Sequence, residues 1–127
     1  MNYRLIGATI VIAAVSLSVH LLFGWMWTAL VAIAAGLVLK SRGWFVGMAG
    51  VAIGWAGLVV YSFSVAPYET AELLRIIGSL LGNLPAVVSV AATVSIGAVL
   101  GALGGLVGST LRSAIAHSRP RNAESPT

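Results

Sequence analysis

The sequence predicts an all-α integral membrane protein, a bundle of four transmembrane helices with glycine-stripe packing and one external amphipathic helix. Composition is the first reason: 59% of the 127 residues are hydrophobic and 8% are charged, whereas a soluble domain carries about 25% charged residues. The second is that apolar runs of membrane-spanning length carry basic residues at their ends. The third is glycine spaced by three and four residues in two of these runs, which places it on one helix face.

Charge and cysteine content narrow the classes of function. The formal net charge is +4 and there is no cysteine. Because the basic residues flank apolar runs, they indicate membrane orientation and not a nucleic-acid surface. The absence of cysteine excludes disulfides, thiol catalysis and iron–sulfur ligation. We therefore expect membrane lipids as partners and no nucleic acid.

The first predicted span covers residues 5–23, about 28 Å as a helix. A cleaved signal peptide is the alternative, with Arg4 as its basic region and Ser16-Leu17-Ser18 as a small-x-small cleavage site. The anchor is the interpretation we favour, because the apolar run continues past that site and is long for a signal.

Gly24 interrupts the apolar pattern, and Trp25 and Trp27 stand beside it. Tryptophan prefers the membrane–water interface, so a tight hairpin is predicted there. The second span, residues 25–39, is short at about 22 Å. It is predicted to rely on these tryptophans and on Lys40 extending its charge to the interface.

The third span covers residues 44–66, between a basic turn at Lys40-Ser41-Arg42 and a stop at Pro67. Residues 68–84 then have an amphipathic pattern, typical of a helix that lies on the interface and does not cross it. The Gly82-Asn83 pair is predicted to end this helix. Its apolar stripe is Leu73, Ile77, Leu80 and Leu84, with Glu69, Glu72, Arg75, Ser79 and Asn83 opposite.

The fourth span is predicted over residues 86–111, which closes a transmembrane domain of residues 1–111. Residues 112–127 are predicted to form a disordered cytoplasmic tail. With four spans, only Arg75 among the lysines and arginines falls on the outer side, together with Glu69 and Glu72. This asymmetry predicts a multi-pass protein of the cell membrane with both termini in the cytoplasm. The inner basic residues are Arg4, Lys40, Arg42, Arg112, Arg119 and Arg121.

Two glycine stripes are predicted to pack the third span against the fourth within one chain. Glycine lets membrane helices approach closely, and self-association between chains is the alternative use of such a stripe. The stripes consist of Gly43, Gly47, Gly50, Gly54 and Gly57 in the third span and Gly97, Gly101, Gly104 and Gly108 in the fourth.

Hydroxyl groups and one histidine gather in the outer half of the predicted spans. They define a candidate polar vestibule, represented by Ser18, His20, Ser62 and Thr93. The interpretation we favour is plainer: serine and threonine satisfy backbone carbonyls or bridge helices. His20 is likewise interpreted as an interfacial residue and not as a haem or metal ligand, since the spacing supplies no second ligand.

The function expected is that of an accessory or scaffold subunit of a membrane assembly. No Asp, Glu, Lys or Arg lies within the predicted spans, which argues against proton-coupled transport and carboxylate catalysis. We therefore predict no enzyme activity, no cofactor and no metal site. Another membrane subunit or a second copy of the chain is the candidate partner. A small oligomeric, holin-like pore is the first alternative, and a lipid- or quinone-binding membrane module is the second.

Overall fold

The computed structural model describes residues 3–39 and 42–118. Within these ranges the chain is all-helical and contains no strand, which confirms the predicted helical class. The helices are α1 (Tyr3–Phe23), α2 (Met26–Val38), α3 (Gly43–Val65), α4 (Pro67–Leu80) and α5 (Ala86–His117).

The long helices α1, α3 and α5 have the length and apolar composition needed to cross a membrane. Helix α2 is different, because its 13 residues extend only about 20 Å, against about 30 Å for a hydrocarbon core. The structure therefore contains three long apolar helices and one short one where the sequence predicted four spans.

Residues with a left-handed backbone conformation follow the ends of two helices. Gly24, with φ of +91°, separates α1 from α2. Helix α4 stops at Leu80, four residues before its predicted end at residue 84, because Gly82 (φ +96°) and Asn83 (φ +64°) both leave the helical region.

The last helix runs further than predicted. It continues to His117, so residues 112–117 of the predicted disordered tail are helical. Residues 119–127 of that tail lie outside the described residues, as do Lys40 and Ser41 of the predicted basic turn.

Helix α3 lies at the centre of the bundle and contacts each of the other helices. It runs parallel to α1, since Gly50 faces Ile12 and Gly57 faces Leu17. It runs antiparallel to α5, since Gly47 faces Gly101 while Trp55 faces Gly97. Helices α1 and α2 form an antiparallel hairpin.

The buried core consists mainly of small side chains. Its central cluster is Ala32, Val51 and Trp55, with Leu58 and Leu100 packed against it. Large apolar side chains point outward from every helix, among them Ile10, Leu30, Val60, Leu80 and Leu103, all at least half exposed. The helices are thus held by close backbone approach and not by an interior of large side chains.

Charged residues separate to the two ends of the bundle. At one end, Arg42 lines a groove with Leu5, next to Arg4. Because α5 is antiparallel to α3, Arg112 follows the Gly108–Gly36 contact to that same end. Helix α4 covers the opposite end and carries Glu69, Glu72 and Arg75.

Candidate functional site

Part of the α5 glycine stripe packs against α3. A Cβ placed on Gly47 would lie 2.6 Å from the Gly101 carbonyl oxygen, and one placed on Gly105 would lie 2.6 Å from the Trp44 Cα. Real Cβ atoms do not come so close to backbone, so these positions require glycine. The closest approach of α3 and α5 is therefore backbone to backbone.

Other glycines of the stripe pack against α2. A Cβ on Gly104 would lie 2.6 Å from the Ala32 Cβ, and one on Gly108 would collide with the Ile33 carbonyl oxygen. A Cβ on Gly36 of α2 would in turn collide with the Gly105 carbonyl oxygen. The α5 stripe is thus shared between α2 and α3.

The α3 stripe is divided as well, so the two stripes do not meet along one line. Gly43 faces Gly36 of α2. Further along α3, two glycines face α1. Gly50 lies against Ile12, and Gly54 lies against Ala13 and Ser16. Gly57 also faces α1, with Leu17 at 3.8 Å from a Cβ placed on it. Of the predicted α3 set, Gly47 lies against Gly101, and Gly43 also approaches α5, since a Cβ placed on Gly105 would lie 2.8 Å from the Gly43 carbonyl oxygen.

Trp55 lies where α1, α3 and α5 come together. Its ring covers Gly97, where an added Cβ would lie 2.8 Å from the Trp55 Cγ. On its other side the ring meets His20 edge to face, with centroids 5.6 Å apart and planes at 81°. Gly97 therefore makes room for a tryptophan that brings the histidine of α1 towards the bundle interior.

A cavity of about 230 Å³ lies beside this pair, beneath α4. It is smaller than typical drug-sized ligand pockets, which span about 300–1,000 Å³. Helix α1 contributes His20 to the lining and α4 contributes four residues, although α1 and α4 do not contact each other. Its lining is His20, Trp55, Leu58, Val59, Ser62, Thr70, Leu73, Leu74, Ile77 and Thr93.

The cavity brings together three of the four candidate vestibule residues: His20, Ser62 and Thr93. Ser18 is exposed and does not line it. The sequence-based candidate set omitted Trp55 and Thr70. Trp55 carried a usable signal, because a tryptophan near the middle of an apolar span is away from the interface that tryptophan prefers.

Two residues of the cavity lining, His20 and Trp55, each carry a buried polar atom without a hydrogen-bond partner among the described residues. These atoms, His20 Nδ1 and Trp55 Nε1, are covered by protein. Outside the lining, Ser16 Oγ, Ser89 Oγ and Arg112 Nη1 are also buried and unpartnered within the described part of the chain. Ser16 lies one helical turn from His20, and Ser89 one turn from Thr93, so each pair shares a face. Buried polar groups are normally paired, with protein or with water.

Helix α4 covers the cavity and is joined to α3 by a side-chain hydrogen bond. The Thr70 hydroxyl donates a hydrogen bond of 3.1 Å to the Ser62 carbonyl oxygen of α3. Thr70 and Leu74 are half-buried and Gly78 is buried, whereas Leu73 and Leu80 of the predicted apolar stripe are exposed. Helix α4 thus rests on the bundle through a Thr70–Leu74–Gly78 stripe.

The outer face of α4 carries an ion pair away from the cavity. Arg75 Nε donates a hydrogen bond of 2.9 Å to Glu72 Oε2. This bond and the positive charge of Arg75 hold the pKa of Glu72 below its usual range, and the pair raises the pKa of Arg75. Both side chains face solvent, so neither supplies a charge to the cavity.

A second recess lies between α1 and α3 at the basic end of the bundle. It has a volume of about 550 Å³ and is open and mainly apolar, with Arg42 as its charged residue. Among the described residues, no group of histidine, cysteine, aspartate or glutamate is arranged to hold a metal ion.

Comparisons with protein families, with curated proteins and with solved structures find no match for this chain. The function is therefore inferred from the geometry of the bundle and of its cavity.

Proposed function

We propose that this protein is an integral membrane protein of the cell membrane that crosses the bilayer four times. The exposed apolar side chains on every helix support insertion, because soluble proteins rarely expose such large contiguous apolar surfaces. Helix α2 is proposed as a short fourth span. It runs beside α1 from the Phe23–Trp27 contact to the neighbourhood of Ala8 and Val38.

We propose that both termini lie in the cytoplasm. Arg4, Arg42 and Arg112 share one end of the bundle, whereas the acidic residues lie on α4 at the other. Lysine and arginine are enriched on the cytoplasmic side of membrane proteins. Helix α4 then lies outside, with exposed Leu73 and Leu80 towards the bilayer and the Glu72–Arg75 pair towards water.

The function proposed first is that of a non-catalytic accessory or scaffold subunit. The observation that carries it is how residue size is distributed: glycine and alanine make most of the contacts between helices, whereas many large apolar side chains are exposed on the surface. On α5 these outward residues form a long uncharged stripe that includes Ile96, Val99, Leu103 and Leu106. Such a surface suits packing against another membrane subunit.

Co-purification tests this proposal. A tagged copy of the full chain, extracted in a mild detergent, should retain a partner in stoichiometric amount. Gly101→Leu, which would drive a side chain into the Gly47 backbone, should lose the partner. Gly7→Leu, at a position with open space around the glycine, is the matched control and should keep it. Recovery of the protein alone as a monomer would count against an accessory role.

The contacts of the glycines weaken the support for the pore hypothesis. That hypothesis needs glycine stripes that are free to contact other chains, but Gly47, Gly101 and Gly108 make contacts within the chain. Reconstituted liposomes test it directly. Leakage of a small dye through vesicles containing the protein, abolished by Gly101→Leu, would restore the hypothesis, and tight vesicles would remove it.

The second candidate function is that of a lipid- or quinone-binding membrane module. The cavity beneath α4 favours it, because its lining is mainly apolar and includes the hydroxyl residues Ser62, Thr70 and Thr93. Ligand sites in proteins usually have this character, mostly apolar with a few convergent polar groups.

A further inference from the structure

We propose that the recess between α1 and α3 binds an anionic phospholipid, with the lipid phosphate at Arg42 and one acyl chain along the apolar lining. This inference gives the second candidate function a lipid site apart from the cavity beneath α4, and it rests on the proposed membrane insertion.

The lining of the recess follows both helices lengthwise. On α3 it consists of Phe45, Ala49 and Ile53, which recur every four residues and share one helix face. Because α1 and α3 run parallel, the lining of α1 lies beside this face and starts from the same basic end. The α1 part consists of two adjacent pairs of residues one turn apart: Leu5 with Ile6, and Thr9 with Ile10.

The length of the lining matches one leaflet of a bilayer. Ile53 lies ten residues beyond Gly43, the first residue of α3, which corresponds to about 15 Å along the helix axis. The hydrocarbon core of a bilayer is about 30 Å thick, so this distance is about half of it. The volume of about 550 Å³ lies within the range of small-molecule ligand sites. An acyl chain that extends from the interface to the bilayer midplane therefore runs the length of the lining.

A small residue leaves room between two large ones on the α3 side. Ala49 is half-buried, whereas Phe45 and Ile53 on either side of it are 47% and 54% exposed. The two large side chains project further from α3 than the methyl group of Ala49, so a gap remains between them. An acyl chain in this gap contacts α1 and α3 together and excludes other lipid from the seam.

Two arginines lie at the basic end of the recess. Arg42 belongs to the lining and immediately precedes α3. Arg4 precedes Ile12 by the same eight residues by which Arg42 precedes Gly50, and Gly50 faces Ile12. Arg4 and Arg42 are therefore at about the same level on neighbouring helices. Both are exposed, and the ion pair found in the described part of the chain, Glu72 with Arg75, involves neither of them.

This concentration of charge selects an anionic head group. A guanidinium donates paired hydrogen bonds to phosphate oxygens. Among the described residues the acidic side chains are Glu69 and Glu72, on α4 at the opposite end, so no described carboxylate neutralises the basic end. The ammonium of a zwitterionic head group would be repelled here. In the proposed orientation this end faces the cytoplasm, the leaflet in which anionic lipids create a negative surface potential.

Native mass spectrometry of the full chain, released from detergent micelles, tests the proposal. The probes are phosphatidylglycerol and phosphatidylcholine with identical acyl chains, which share a phosphate and differ in net charge. We expect one phosphatidylglycerol to bind per chain, with a dissociation constant at least about tenfold below that of phosphatidylcholine. Equal binding of the two lipids, as expected for lipid held by apolar surface alone, would overturn the proposal.

Paired variants locate the acyl chain. Ala49→Phe fills the recess and should weaken phosphatidylglycerol binding by at least about tenfold. Ala14→Phe adds the same ring at an exposed position of α1 outside the lining and should leave binding unchanged. Circular dichroism checks that both variants keep their helical content. Unchanged affinity in Ala49→Phe would place the lipid elsewhere and refute the assignment.

Variants of an exposed arginine test the head-group contact without altering the packing of the helices. Arg42→Gln should bring the affinity for phosphatidylglycerol down to that for phosphatidylcholine. Arg42→Lys keeps the positive charge and should retain most of the difference between the two lipids. Arg75→Gln removes an arginine at the opposite end and is the matched control, with no change expected. Full affinity in Arg42→Gln would refute the proposed phosphate contact.

Two competitors separate the phospholipid from other anions. Glycerol 3-phosphate carries a phosphate without an acyl chain, and palmitate carries a chain with a carboxylate. Neither should displace phosphatidylglycerol at equal concentration, and displacement by either would overturn the choice of a phospholipid. Resistance of the protein to alkaline extraction from membranes reports insertion separately, so failure of lipid binding and failure of insertion are distinguishable.

Discussion

The Thr70 hydroxyl and the Ser62 carbonyl oxygen, 3.1 Å apart, join α4 to the last turn of α3. The same carbonyl oxygen accepts the Ala66 backbone N–H at 2.9 Å, so one acceptor ends α3 and holds the next helix. Because Ser62 and Thr70 also line the cavity, this hydrogen bond holds α4 in place above it.

Removing that hydrogen bond should loosen α4. Thr70→Val keeps the shape of the side chain but deletes the donor, and we expect the free energy of unfolding to fall by about 1 kcal/mol. Denaturation of the detergent-solubilised chain measures it. Ser64→Ala removes a hydroxyl bonded only within its own helix and should have a smaller effect. Equal losses in the two variants would show that the Thr70 contact is not special.

A pair of glycine-to-alanine substitutions should have opposite effects. Gly47→Ala places a methyl group 2.6 Å from the Gly101 carbonyl oxygen, so we expect a loss of about 1–3 kcal/mol from overpacking. Gly7→Ala meets open space and should stabilise α1 by up to about 1 kcal/mol, because alanine favours the helix. Thermal unfolding in detergent compares them. Stabilisation by Gly47→Ala would refute the close approach of α3 and α5.

Cysteine labelling should place the ends of α4 and α5 on opposite sides of the membrane. The chain has no native cysteine, so Ser79→Cys and Ser113→Cys each introduce a unique target at an exposed position. An impermeant maleimide should label Cys at 79 from outside the cell, and Cys at 113 only after permeabilisation. Labelling of both from the same side would mean that α5 does not cross. The reverse pattern would invert the proposed orientation.

The Glu72–Arg75 pair should make α4 weakly sensitive to acid. Because the pKa of Glu72 is lowered in the folded chain, its contribution is present at neutral pH and is lost as pH falls through that lowered value. The effect is small since both groups are exposed. An NMR titration of the Glu72 carboxyl measures the shift. Arg75→Gln should return the pKa to its usual range, and a pKa unaffected by that substitution would exclude Arg75 as the cause.

Several features of the fold follow from local sequence. Gly24 predicted a hairpin and the Gly82-Asn83 pair predicted a helix end, and these residues do have positive φ. Pro67 occupies the first position of α4, where its missing N–H costs nothing. The end of α5 was less predictable: Arg112 marked the end of the apolar run, but hydrophobicity reports membrane depth and not helix length, and the helix continues to His117.

The partners of the glycines did not follow from their spacing. A repeat of three and four residues shows that Gly101, Gly104 and Gly108 share a face, but a helix face is wide enough to meet two neighbours. Gly101 lies against α3, and Gly104 and Gly108 lie against α2. Which neighbour a glycine meets depends on how the helices cross, and that is a property of the whole bundle.

The residues that line the cavity also could not all be predicted from the sequence. His20, Ser62 and Thr93 were candidates from polarity alone, and the fold brings them together beneath α4. Ser18 has the same chemistry but is exposed. Trp55 and Thr70 were missed because their roles depend on contacts across helices: Trp55 with Gly97 and His20, and Thr70 with Ser62.

By itself, the sequence determined the helical class, the principal breaks between helices and the separation of basic from acidic ends, because these depend on hydrophobicity, backbone preference and charge counted along the chain. Only the tertiary structure decided which helix each glycine touches and which polar groups surround the cavity. The physical reason is that such contacts join residues far apart in the chain, such as Gly47 with Gly101, and no local pattern specifies the crossing that brings them together.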